Sequence, residues 1–221
     1  EMLILSGGVR PNIELGEEAG LDVGRLGLKV NEYLQTSDPD IFAPGDIKEY
    51  HSFVTGKPTL GQLRPNAVIA GRVAAKNALG YQVKFPGLIN CFATKFFDKS
   101  IAGAGLTESE ANANEIETVS VKQASVSKHM VMRDKKPYVM KLVFDKKTEK
   151  IIGGQIVSDS EAPIRHIDVI GLAIRCGLTA SDLTTLRCAG QPELSDDPGL
   201  EPIALGSESV FEKFHKPNGE M

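Results

Sequence analysis

The sequence predicts an α/β segment followed by an α+β domain that carries an antiparallel sheet with helices. Up to about Gly87 short apolar strand patterns alternate with helical ones, whereas beyond "KFPGLIN" the strand-like runs lengthen. Two of those runs, 138–144 and 151–157, are joined by the polar turn "DKKTEK", an antiparallel hairpin signal, and two helical patterns follow them. The expected domains are therefore residues 1–87 and 88–221.

Taken in order, residues 3–5 of "EMLILSGG" read as a buried strand that starts at full stride, with no turn, cap or partner before it. A parallel strand needs neighbours, so this reads as a cut end. A short helix is expected near 13–19, then strands at 28–30, 41–43 and 52–54. A long helix begins around Arg64-Pro65, where proline suits a first turn. It repeats Ala67, Ala70, Val73, Ala74 and Ala78 and stops at Gly80. Its alanines and Gly71 permit close packing against a sheet or a flat ligand. In the second domain strands are expected at 92–97, 118–125, 138–144 and 151–157. One helix then carries Ile164, Ile167, Ile170, Gly171 and Ile174 on one face and ends at Gly177; the next opens with Thr179-Ala180-Ser181-Asp182, a capping-box pattern.

At 221 residues the chain is long enough to bury about 70% of its unfolded surface, and only the terminal "KPNGEM" is expected to be disordered. A net charge of -4, with lysines scattered among acids, offers no basic face to nucleic acid. Cys91, Cys176 and Cys188 form no CxxC and no ligand cluster with the four histidines, which argues against a structural zinc site or a local redox pair; the odd count suits a reducing compartment. With no signal peptide pattern and no run of eighteen apolar residues, a cytoplasmic protein without a membrane partner is expected.

The stretch "TSDPDIFAPGDI", residues 36–47, is the most informative. As a calcium loop from Asp38 it fails, because Phe42 and Ala43 stand where a ligand and a glycine are required. A metal-hydrolase cluster of Asp38, Asp40 and Asp46 lacks a spacing that would converge the carboxylates. A carboxylate at the ligand-facing end of a strand, behind a permissive glycine, accounts for Asp46 better.

Thr36, then five residues, then Phe42-Ala43-Pro44-Gly45-Asp46 resembles the second flavin-binding motif of the pyridine nucleotide-disulfide oxidoreductases. "SGGVRPN" looks like the strand and turn leaving their NAD domain, and "GRVAAKNALG" like the helix beneath the flavin. Further on, "FPGLINCFATKFFDKSIAGAGLTESEA" and "LTASDLTTL" are similar to the dimerisation domain of the NADH oxidase and coenzyme A disulfide reductase branch. The resemblance implies the end of an NAD domain and the second half of an FAD-binding Rossmann-like domain, followed by a dimerisation domain. It also implies FAD and NAD(P)H as cofactors, a homodimer, and a small-molecule disulfide or oxygen as electron acceptor. Neither GxGxxG of the family occurs in these residues, so a missing amino-terminal half of the same protein would complete the cofactor sites and supply the redox cysteine; this portion alone is expected to be inactive. A rival is a non-catalytic dimerisation or interaction module without cofactor.

Carried onto this chain, the resemblance gives Gly45 and Asp46 to the ribityl chain, Leu60 and Gly61 to the isoalloxazine side, and Gly8 to the nicotinamide nucleotide. In "LRCAGQPELSDDPG" the family's HxHPTxxE aligns on Pro192, which puts Gln191 on the histidine and Asp196 on the glutamate; Gln191 and Pro192 would reach the other subunit's flavin. Glutamine cannot titrate, so that acid-base role is lost. Cys188 reads either as an auxiliary thiol, nudged toward thiolate by a cation such as Arg187, or as a small buried hydrophobe at an interface. Cys91 and Cys176 are expected in apolar surroundings. His51 is expected to border the cofactor, while His129, His166 and His215 are expected to be solvated, and Lys95 to pack at an interface.

Overall fold

The computed structural model describes residues 2–215 and divides into two compact units, Glu1–Leu88 and Ile89–Met221. The expected disorder of "KPNGEM" falls outside the described residues.

In the first unit the expected strands are almost entirely replaced by single bridges. Met2, Leu3, Ile4 and Leu5 form no strand and are exposed; a parallel strand needs a neighbour on its flank, and no described residue provides one. Helix α1, Glu14–Glu18, is followed by bridges linking Val23 to Leu28, Leu28 to Lys48, Gln35 to Phe42 and Ser52 to Leu88. Among the described residues of this unit the one ladder pairs β1, Tyr50–His51, with β2, Pro58–Thr59. Helix α2, Arg64–Ala78, follows the sequence closely, with Pro65 in its first turn. Its Ala70, Val73 and Ala74 pack on Leu34 with Val30, Phe42, Val83 and Phe85 around them.

Asn77 ties this core to the chain beyond the helix. Its Nδ2 donates to the carbonyls of Tyr33 (2.7 Å) and Val83 (2.9 Å), and its Oδ1 accepts from the Val83 N–H at 2.8 Å. Asn77→Ala would leave three backbone groups without partners in a largely buried place, and is expected to destabilise the chain by about 3 kcal/mol or more. A urea midpoint that does not move would contradict this role.

The second unit is built on a five-stranded antiparallel sheet in the order β3-β4-β7-β6-β5, where β3 is Phe92–Phe96, β4 Lys99–Gly105, β5 Thr118–Val126, β6 Pro137–Asp145 and β7 Ile151–Ser158. The β6–β7 hairpin is as the sequence predicts. Strand β4, "KSIAGAG", carries no strand signal of its own: its alanines and glycines are dictated by close neighbours, not by propensity. Helix α3, Glu108–Ala113, opens on a capping box of Thr107 and Glu110. Helix α4, His166–Cys176, ends on Gly177 at φ 66°, and α5, Ala180–Thr184, opens on the Thr179/Asp182 capping box. A last helix, α6, Pro202–Phe214, was not anticipated.

Leu142 pairs with Gly154 across β6 and β7, so both face the same side. A Cβ on Gly154 would meet Ile170 of α4, and one on Gly206 of α6 would meet Leu142. Both helices therefore cover one face of the sheet, over a core of Met140, Leu142, Phe144, Ile156, Ile170, Ile203 and Val210. The adjacent positions on the opposite face form a row across all five strands, Thr94–Ile101–Val157–Val139–Ala124. Val157 and Val139 in that row are 48% and 45% exposed among the described residues.

Candidate functional site

Asp46 lies in a single 3-10 turn, Gly45–Ile47, rather than at the end of an extended parallel strand. Gly45 holds φ 80°, a left-handed conformation that a side chain would strain. The turn packs near the start of α2: a Cβ on Gly45 would come to 3.7 Å from the Cβ of Ala67. That helix has no side-chain cap, and since Pro65 has no N–H and the Ala67 N–H bonds to the Leu63 carbonyl, the N–H groups of Arg64 and Asn66 are left for an outside acceptor. Asp46 is exposed and makes no hydrogen bond or ion pair among the described residues. Its neighbours Asp38 and Asp40 are engaged with each other through the Asp40 N–H and Asp38 Oδ1 at 2.8 Å.

Below this turn the sequence hides two polar groups. The Tyr50 hydroxyl is buried with no hydrogen-bond partner, and burial followed by the charge of Asp46 pushes it up to about 12. Lys48 is 3% exposed, with Nζ 3.4 Å from the Tyr50 ring centroid and 4.7 Å from that of Phe85; burial lowers its pKa to about 8. No local pattern marks Lys48, since Glu49 and Tyr50 beside it are buried as well.

The other first-unit residues differ from one another. Gly61 is buried, and a Cβ there would strike the Tyr50 ring at 2.7 Å and Leu88 at 2.6 Å, so its smallness serves packing. Leu60 is 58% exposed beside it. Gly8 sits at φ 81° in an exposed stretch with nothing within 4 Å. His51 is half exposed, 3.9 Å from the Glu49 carboxylate.

In the second unit the loop 186–199 borders a cavity of about 180 Å³ whose wall includes Tyr138, His166, Cys188, Asp196 and Glu201. Gln191 and Pro192 are exposed on that loop: the Gln191 Oε1 accepts from Glu193 N–H at 2.8 Å, and the Pro192 carbonyl from His129 N–H at 3.0 Å. Asp196, the residue aligned on a family glutamate, accepts from the Ser125 hydroxyl at 2.5 Å. Two expectations are corrected here: His129 is half-buried and lies 3.4 Å from Asp197, and His166 donates from Nδ1 to the Pro163 carbonyl at 2.8 Å and stacks on Tyr138, whereas His215 is exposed as expected, with Glu149 at 2.9 Å. Cys176 is exposed, not apolar in its surroundings, because it ends α4. Lys95 pairs with Glu161 at 2.5 Å on the surface.

No cation holds the Cys188 thiol low. Cys188 is exposed as a residue, yet partial burial of its thiol, with the charge of Glu201 next, pushes it up to about 11. A raised thiol pKa keeps the proton on, so alkylation by iodoacetamide at pH 8 is expected to run roughly a hundredfold slower than for a free cysteine and to accelerate toward pH 11. Ordinary reactivity at pH 8 would refute this.

Two family descriptions match the chain: "pyridine nucleotide-disulphide oxidoreductase" over residues 1–77, and the dimerisation domain of the same family over residues 91–200. The chain belongs to the pyridine nucleotide-disulphide oxidoreductase family. Among its oxidoreductase relatives, an NADH oxidase of Methanocaldococcus jannaschii is 35% identical over 97% of this chain and 47% of its own length. A coenzyme A polysulfide/persulfide reductase of Pyrococcus horikoshii is 34% identical over 93% of this chain and 45% of its own. Of solved structures, an NAD-dependent persulfide reductase from A. fulgidus superposes with a TM-score of 0.87 at 33% identity, covering 93% of this chain and 38% of that one. A water-forming NADH oxidase from Lactobacillus brevis bound to NADH superposes with 0.85 at 26%, covering 94% and 45%. This family member thus spans about half the length of the curated relatives it matches.

Among the described residues no group of three His, Cys, Asp or Glu side chains is arranged to hold a metal ion, and no helix is long and apolar enough to cross a membrane. An FAD ribityl chain would bring hydroxyl donors and close backbone contact, and an unpartnered exposed carboxylate behind a left-handed glycine beside an uncapped helix start suits both.

Proposed function

We propose that this chain forms part of a flavoprotein that moves electrons from NAD(P)H through FAD to a cysteine-based disulfide acceptor or to oxygen, and that works as a homodimer. The complete enzyme, with the amino-terminal half that its relatives carry, would hold the whole activity. The observation that carries the reading is Asp46, an exposed carboxylate without a partner among the described residues, set directly behind the left-handed Gly45 beside the start of α2.

When bound, FAD supplies the chemistry, accepting hydride from the nicotinamide and giving up electrons to the acceptor. The chain's own residues bind and orient. Asp46 accepts a hydrogen bond from a ribityl hydroxyl, and Gly45 admits the chain close to the backbone. The start of α2 offers N–H groups and the positive end of its dipole, with Leu60 as an apolar contact and Gly61 holding the approach in place through Tyr50. Gly8 borders the nicotinamide nucleotide. Gln191 and Pro192 face the second copy's flavin; Gln191 orients but exchanges no proton. Cys188 stays a protonated thiol there. The exposed Val157 and Val139 beside half-buried Ile101, with Phe92, Phe96 and Phe97 exposed at and beyond the edge strand, support the second copy as the cover of this face.

Acid extraction of the purified complete enzyme is expected to yield FAD equimolar with polypeptide. A colourless enzyme that still oxidises NAD(P)H would overturn the reading.

A further inference from the structure

Lys48 carries a charge that the first unit buries and does not neutralise. It is 3% exposed, and its Nζ lies 3.4 Å from the Tyr50 ring centroid and 4.7 Å from that of Phe85. Its hydrogen bond among the described residues is a long one, to the Glu49 carbonyl at 3.5 Å. The two rings offset part of the cost of taking an ammonium out of water. Burial lowers its pKa to about 8, and no neighbouring acid works against that. The charged groups around it have other partners. Glu49 Oε2 accepts from the Leu26 N–H at 3.0 Å, Glu32 pairs with Lys84 at 2.8 Å, and His51 faces Glu49 at 3.9 Å.

Tyr50 connects this charge to the residues assigned to the cofactor. A Cβ on Gly61 would come to 2.7 Å from the Tyr50 ring, and the charge of Asp46 acts on the Tyr50 hydroxyl. Tyr50 is itself buried, so protein rather than water or salt fills the space between the ammonium and the Gly61 backbone, and the charge is poorly screened there. Packing alone does not call for a lysine, because a methionine would fill the same space without the cost of a buried charge.

Resting on the flavin reading above, we propose that Lys48 is a tuning residue: a fixed positive charge, one aromatic ring from the Gly61 backbone, that favours the reduced flavin over the oxidised one. Lys48 touches no reacting atom. Two-electron reduction leaves negative charge on the flavin ring, and a cation held in a poorly screened interior stabilises that charge more than it stabilises the neutral oxidised ring. The effect has a pH window, since Lys48 is cationic below about pH 8 and loses its proton above it.

The test is the flavin midpoint potential of the complete enzyme, read by dye equilibration in wild type and in Lys48→Met. The variant is expected to shift the equilibrium about tenfold toward oxidised flavin at pH 7, about 30 mV for a two-electron couple. That difference is expected to shrink as the pH rises through 8. The unfolding midpoint is expected to hold or rise, because a buried charge is removed and its volume kept. Lys84→Met, at an exposed lysine of the same cavity, is the control and is expected to leave the potential unchanged. Should Lys48→Met not fold, Lys48→Gln is expected to lower the potential likewise. Equal potentials in wild type and a folded Lys48 variant overturn the proposal, as does an equal shift in Lys84→Met, and both outcomes leave the flavin reading standing. A complete enzyme that binds no flavin overturns both.

Discussion

Replacing Asp46 by alanine in the complete enzyme is expected to weaken FAD binding roughly ten- to a hundredfold, the loss of one hydrogen bond to a charged acceptor. The fold should hardly notice. Asp46 is exposed and bonds to none of the described residues, so its removal orphans no partner among them, and the unfolding free energy should stay within about 0.5 kcal/mol. Reconstitution of apoenzyme with FAD, followed by flavin fluorescence, separates the two effects. Asp38→Ala is the control of opposite character: it removes the acceptor of the Asp40 N–H and loosens the turn without touching the flavin. Equal FAD affinity in wild type and the Asp46 variant would count against the assignment of that residue, while equal losses in both variants would point to the turn instead.

Gly153→Ala is expected to cost about 3 kcal/mol or more, and to leave little soluble protein. A Cβ on Gly153 would lie 1.8 Å from the Leu106 carbonyl oxygen, and one on the paired Gly105 would lie 2.1 Å from the Ile152 carbonyl oxygen. These are backbone atoms that cannot turn aside as a side chain can. The crossing is fixed by the Leu106 N–H donating to Ile152 at 2.9 Å where β4 leaves the sheet, and Gly105 adds a φ of 68° that disfavours any side chain. Differential scanning calorimetry reads the effect; an unchanged midpoint would mean that the strands do not cross so closely.

These two glycines also explain which elements the sequence hides. Helix α2 and the β6–β7 hairpin are legible because local pattern and tertiary role agree: proline at the first turn, a small-residue stripe against Leu34, a polar turn between alternating strands. Strand β4 is invisible to propensity because close neighbours demand glycine and alanine there: a Cβ on Gly103 would strike the Phe92 ring at 2.6 Å, and Ala102 and Ala104 are buried. Helix α6 did carry a legible start, Glu201-Pro202, with Ile203, Gly206 and Val210 on the buried face. In the first unit the apolar runs 28–30 and 41–43 are short segments that form isolated bridges and no ladder. Residues 3–5 show that a pattern alone does not make a strand without a flanking neighbour.

The sites differ in the same way. Asp46 is legible because its motif is contiguous and its role depends on turn geometry. The meeting of His166, Cys188 and Glu201 is not, since it joins the start of α4, a loop and the cap of α6 through tertiary packing alone. Cys188 shows the limit of reading charge from sequence: Arg187 adjoins it in the chain, but burial, followed by Glu201, raises its thiol pKa.

The account turns on a hydride path from NAD(P)H to a flavin held in part by this chain. Anaerobic titration of the complete enzyme with NADH or NADPH, followed by flavin absorbance, tests it most directly. Bleaching of the bound flavin in step with added reductant, and recovery of colour on admitting a disulfide or oxygen, is the predicted result. A bound flavin whose absorbance stays unchanged under excess of both reductants would contradict it.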